Sequence, residues 1–175
     1  MNRLTRILPV VAGMLGAILS FGCSSELAGP SDPAFGEARM EPVMTLTPCD
    51  PQPTGTTGRW IGPKGGVLKA GKHTLVIPPK ALKEPTWITM KAPSGTINRV
   101  ALTPDGLTFK VPAQLGLSYA NCWLKPDAKQ LVVYINDQLV ILETTPSESD
   151  PLSQTVYGTV THFSDYALST YAVVY

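Results

Sequence analysis

From about residue 59 onward, apolar and polar positions follow the period of two that extended strands require. In "VPAQLGLSYA" (residues 111–120), Ala113, Leu115, Leu117 and Tyr119 fall on one face, and Gln114, Gly116 and Ser118 on the other. "HTLVI", "TWITMKA", "NRVALT" and "LVVYI" are short β-branched or aromatic runs bounded by Gly, Pro, Asn or Asp. "YINDQLVIL" predicts a hairpin around Asn136 and Asp137, two residues that tolerate turn conformations. "SQTVYGTVTHF" and "YALSTYAVVY" supply the last strands, and "PPKAL" alone suggests a single helical turn. No long segment carries apolar residues at a helical period. The predicted fold is therefore all-β, a single antiparallel β-sandwich of short strands over residues 58–175, long enough to bury a core of its own.

The first residues break this pattern. Arg3 and Arg6 precede "ILPVVAGMLGAILSFG", which carries no charge and runs into Cys23. An apolar stretch of roughly 15 residues suits a secretory signal, whereas a spanning helix needs about 20. Gly22 before Cys23 resembles the bacterial lipobox, although Ser20 stands where Leu is usual and Leu19 lies one place further back. Residues 1–22 are thus expected to be a lipoprotein signal peptide, with Cys23 lipidated as the mature N-terminus. Ordinary signal cleavage or an uncleaved anchor are the alternatives. More than one acyl chain would hold the protein stably at the membrane. By the lipoprotein sorting rule, Ser24 favours the outer membrane in a diderm cell.

Residues 23–57 read as a tether, with prolines at 30, 33, 42, 48, 51 and 53 and no periodic apolar face. An extended Pro-rich chain advances about 3.1 Å per residue, a reach on the order of 100 Å from the membrane. Pairing of "EPVMTLT" with the edge of the domain would shorten that reach.

Composition narrows the function classes. A formal net charge of +1, with 15% charged residues, provides no basic face for nucleic acid. Cys49 and Cys122 remain after Cys23, and export makes a disulfide between them reasonable. It would join "TPCDPQP" to "NCWL" and stabilise the fold by roughly 4 kcal/mol in the chain-entropy view; two unpaired thiols are the alternative. Two cysteines and two distant histidines are too few for a structural zinc site. No metal and no cofactor is expected.

Taken in order, "WIGPKGGVL", "HTLVIPPKAL", "TWITMKAP", "LTPDGLTFKVPAQLGLSY" and "THFSDYAL" resemble the ZU-5 domain over about residues 59–170. That domain is shared by the zonula occludens protein, uncoordinated-type netrin receptors, ankyrins and the death-domain protein PIDD, with divergent copies in exported bacterial proteins. The resemblance implies a β-sandwich that mediates protein contacts.

Two stretches invite a chemical reading. "GVLKAGKHT" nearly spells a phosphate-binding loop, with Gly66, Gly71 and Lys72 spaced correctly. His73, however, stands where the magnesium-binding hydroxyl belongs, and a strand follows instead of a helix. "THFSDY" sets His162, Ser164 and Asp165 side by side. A serine-hydrolase triad converges from separate parts of a fold, no G-x-S-x-G elbow is present, and Asp165 should point away from His162. In some proteins resembling this family a His-Phe-Ser motif cuts its own chain. Here Ser164 would be the nucleophile, His162 the base and Phe163 the scissile carbonyl.

On one unbroken strand, Val156, Gly158, Val160, His162, Ser164, Tyr166 and Leu168 would share a face, with Phe163 on the other. That parity favours a structural His162 in a satisfied, half-buried site, and no catalytic residue is expected. The leading expectation is a lipid-anchored, extracytoplasmic, non-catalytic module contacting an unknown envelope protein. A self-processing protein is one alternative. A glycan-binding module using Trp60, Trp87 or Trp123 is the other, although each tryptophan would more commonly be core.

Overall fold

The computed structural model describes residues 43–125 and 127–172. Two antiparallel sheets pack face to face as a sandwich. The strands are β1 (Val43–Leu46), β2 (Gly55–Ile61), β3 (Gly66–Ala70), β4 (His73–Ile77), β5 (Thr86–Ala92) and β6 (Arg99–Thr103). They continue as β7 (Thr108–Ser118), β8 (Lys129–Ile135), β9 (Ile141–Thr144), β10 (Ser147–Asp150), β11 (Thr155–His162) and β12 (Asp165–Ala172). One sheet runs β2-β5-β6-β12-β8-β9, with β1 also on β12, and the other runs β10-β11-β7-β4-β3.

The alternation seen in the sequence carries the core. In β4, His73, Leu75 and Ile77 are buried; in β5, Ile88, Met90 and Ala92; in β11, Val156, Gly158 and Val160. These faces meet Leu115, Leu117, Val100, Leu102 and Leu168 from the neighbouring strands in one continuous cluster. Each fully buried Leu or Ile contributes roughly 1.5–3 kcal/mol of transfer free energy. The predicted hairpin forms at Asn136. Its Oδ1 accepts the N–H groups of Gln138 at 3.0 Å and Val140 at 2.9 Å, replacing ladder partners lost at the turn.

Three elements differ from the sequence expectation. The sheet takes up part of the segment read as tether. β1 pairs along β12, Val43 with Ala172 through Leu46 with Ser169, and β2 begins at Gly55, so folded chain starts before residue 58. "PPKAL" forms a turn and no helix. Lys80 sits at φ 67°, and its N–H donates to Pro63 O at 2.8 Å, which tips the chain out of helical geometry. Most important, residues 156–168 are not one strand. β11 belongs to one sheet and β12 to the other, and Phe163–Ser164 is the crossover between them. The register shifts between Val160 and His162, where two residues of β11 span five of β7, and the chain then leaves for the other sheet, which turns Phe163 into the core. Phe163 is therefore core, fully buried edge-on to Phe109 with ring centroids 4.9 Å apart.

Candidate functional site

The crossover is held by main-chain bonds. Phe163 N–H donates to Leu107 O at 2.7 Å, Gly106 N–H to Phe163 O at 3.1 Å, and Leu102 N–H to Ser164 O at 3.2 Å. Both carbonyls of the Phe163–Ser164 segment are thus clamped by residues 102–107. His162 Nδ1 lies 3.4 Å from Phe163 O. The ring packs edge-on to Tyr134 at 5.3 Å, and Tyr166 donates its hydroxyl proton to His162 O at 2.8 Å. Burial pushes the Tyr166 hydroxyl well above its ordinary range.

Among the described residues no hydrogen bond joins His162 to the Ser164 hydroxyl. The two side chains line different depressions on either side of Tyr134. Asp165 turns to Arg99, 3.6 Å away. Burial raises its pKa, Arg99 opposes that rise, and Asp137 and Asp105 add to it. The three polar residues that adjoin in sequence are thus directed to three different surroundings.

The tryptophans are exposed, contrary to the usual placement of such residues. Trp60 is 66%, Trp87 49% and Trp123 71% accessible. Trp60 and Trp87 face each other across β2 and β5, with ring centroids 5.8 Å apart and planes at 70°. A Cβ at Gly58 would come within 2.9 Å of the Trp87 ring, so the indole lies over that glycine. The pair makes an L-shaped notch on the outer face of the sheet. β2 is also the last strand of its sheet, and among the described residues no further strand pairs with it. The other side of β2 is not open, because β3 runs along it: Arg59 Nη1 donates to Val67 O at 3.2 Å, Gly62 bridges Gly65, and Gly55 lies against the Ala70–Gly71 turn, so what β2 exposes is its outer face with the two indoles. Trp123 sits apart from them in sequence, following Cys122 and donating its main-chain N–H to Pro48 O at 2.9 Å.

Cys49 and Cys122 are joined by a disulfide with an S–S distance of 2.08 Å. It closes one end of the sandwich, where Asn98 donates to Ser118 O at 2.8 Å and Asn121 Oδ1 at 2.9 Å. Asn121 in turn donates to Asp50 O at 2.6 Å. Cys23 lies outside the described residues, as do residues 1–22 and the start of the tether. "GVLKAGKHT" is the β3–β4 hairpin, with Gly71 at φ 58° in its turn, and no phosphate-facing helix follows.

His73, at the start of β4, is buried, and its Nδ1 accepts the Ser118 N–H at 3.2 Å. Burial, with repulsion from Lys72, lowers its pKa from 6.5 to about 4. Sequence reading passed over His73 because its only motif context was the failed phosphate loop. The single signal available was a histidine on the apolar face of an alternating strand. A scan against protein-family models finds none that matches this chain, and a search of curated proteins finds no match.

Proposed function

We propose that this protein is an exported, lipid-anchored β-sandwich that acts without turnover as a contact module of the cell envelope. Its contact face is the Trp60–Trp87 notch on the outer face of β2 and β5. The observation that carries this reading is that notch: two large indoles packed edge to face and left in solvent. A segment of another envelope protein would seat an apolar side chain against the two rings. Exposed Trp residues of this kind dominate binding energy where they are used, each contributing on the order of 2 kcal/mol or more. The ZU-5-like series of motifs supports a contact role, and the Cys49–Cys122 disulfide agrees with an oxidising compartment.

The anchor at Cys23 and the contact face are tested separately. Fatty-acid labelling of wild type, abolished by Cys23→Ala, supports the anchor; unchanged labelling of the variant removes it. For the face, the unanchored Cys23→Ala form is co-sedimented with isolated envelopes. Retention that is lost in Trp60→Ala and Trp87→Ala supports the reading. Retention that ignores both substitutions, or that is competed away by envelope glycans, rejects a protein contact there; glycan competition transfers the notch to sugar binding.

A second reading rests on the donors around Phe163 O. Gly106 N–H and the His162 ring both approach the oxygen that would carry charge if Ser164 Oγ attacked the Phe163 carbonyl carbon. The peptide C–N bond would break, leaving an ester that water hydrolyses. In that reading His162 serves the carbonyl rather than the hydroxyl. The intact mass of the mature protein after hydroxylamine treatment decides it. A chain ending at Phe163 supports self-cleavage, and an uncut chain removes it.

A further inference from the structure

A cavity of about 210 Å³ opens at the disulfide end of the sandwich, away from the Trp notch along β2 and β5. Gln52, Pro53, Lys72, His73, Pro93 and Asn121 are among its walls. Gly55 forms part of the wall because the chain must pass against the Ala70–Gly71 turn, where a Cβ would collide with the main-chain nitrogen of Gly71.

Most of the polar groups around this cavity are already committed. Asn98 and Asn121 bond each other and the main chain, and Gln52 bonds Pro51 O. Arg99, also in the wall, is engaged with Asp165. His73 is different. It is 6% exposed, and its Nδ1 is occupied by the Ser118 N–H, so the neutral ring carries its proton on Nε2. Nε2 has no partner among the described residues. His73 is itself one of the residues that line the cavity. Lys72, exposed on the turn beside it, supplies a cation, and no carboxylate side chain stands in the described wall.

We infer that this cavity binds the carboxylate of a small aliphatic acid, one oxygen accepting from His73 Nε2–H and the other facing the Lys72 ammonium. A buried neutral N–H beside a cation that has no ion pair among the described residues suits a single negative charge shared over two oxygens. The volume falls below the roughly 300–1,000 Å³ usual for drug-sized ligands, which limits the occupant to one small unit. Pro53, Ala92 and Pro93 offer it an aliphatic wall, and no Phe, Tyr or Trp stands in the described wall to stack a sugar. The acid is either free or the last residue of a peptide.

The test is an NMR titration of the full mature protein, following the His73 ring and the Gly55 and Lys72 amides. The probes are N-acetylalanine, its amide, propionate, galacturonate and inorganic phosphate. Saturable shifts with N-acetylalanine, absent with its amide and weakened about tenfold in Lys72→Gln, support the site. Tighter binding of N-acetylalanine than of propionate identifies a chain end, and equal binding identifies a free acid. Lys72 is exposed on a turn, so its variant keeps the fold, and an unchanged spectrum elsewhere verifies this. Absence of saturable shifts with either acid overturns the inference. So does equal binding of the amide, preference for galacturonate or phosphate, or indifference to Lys72→Gln.

Discussion

Acidification to pH 4 should destabilise the sandwich through His73. The unfolded side chain takes up a proton near its ordinary pKa of 6.5, whereas the folded one resists until about 4. Between those values the unfolded state binds more protons, so stability falls as pH drops from 6.5 to 4. It is unaffected by this group above that window and loses nothing further below it. The cause is geometric. A protonated ring loses the Nδ1 lone pair that accepts the Ser118 N–H, and it carries charge into a site that is 6% exposed and repelled by Lys72. A separation of about 2.5 pKa units corresponds to about 3 kcal/mol across the window.

Urea unfolding followed by far-UV circular dichroism, from pH 7 to pH 4, measures this loss. His73→Gln is the control, because it keeps an acceptor near Ser118 and does not titrate. Carboxylates titrating in the same range contribute to both proteins and cancel in the difference. The wild-type advantage over His73→Gln should shrink by about 3 kcal/mol between pH 7 and pH 4. A difference that stays flat would show that His73 is protonated in the folded state and that its burial has been misjudged.

Two further stability predictions follow from the same packing. Replacing both Cys49 and Cys122 with Ser, or reducing the oxidised protein, should lower stability by roughly 4 kcal/mol, because the bridge closes a span of 73 residues. Urea midpoints with and without reductant check this, and superimposable curves would contradict it. Phe163→Ala should cost about 3–5 kcal/mol, as expected for an aromatic ring removed from a closed core. A loss below about 1 kcal/mol, measured by the same unfolding, would mean the crossover is not packed into the sandwich.

The sandwich was legible because alternation in "HTLVI", "TWITMKA" and "VPAQLGLSYA" is a local property that the sheets preserve. The inversion at Phe163 was not. Parity extrapolated through residues 156–168 assumes an unbroken strand, and the shift between Val160 and His162 depends on pairing with β7, a segment more than forty residues earlier. β1 was half legible: "EPVMTLT" offered itself for pairing with the domain edge, but its shortness and flanking prolines kept it in the tether until β12 supplies its ladder. Trp60 and Trp87 would ordinarily be assigned to the core. The contrary signal was Gly58, two residues before Trp60 on the same face, where the Trp87 ring lies across the strand. The cavity left no motif in the sequence. Its wall comes from the β3–β4 turn, the segment leading into β2, the β5–β6 loop and Asn121 after β7, which only the fold brings together.

The contact face on β2 is tested most directly by site-specific photocrosslinking in intact cells. A photoreactive residue replaces Thr56, exposed on β2 on the same face as Trp60, or Leu152, which is 98% accessible in the β10–β11 turn. The account predicts a discrete protein adduct from position 56, lost when Trp60 and Trp87 are changed to Ala, and no matching adduct from position 152. An adduct of equal yield from both positions, or none from position 56, would contradict a contact surface at the Trp60–Trp87 face.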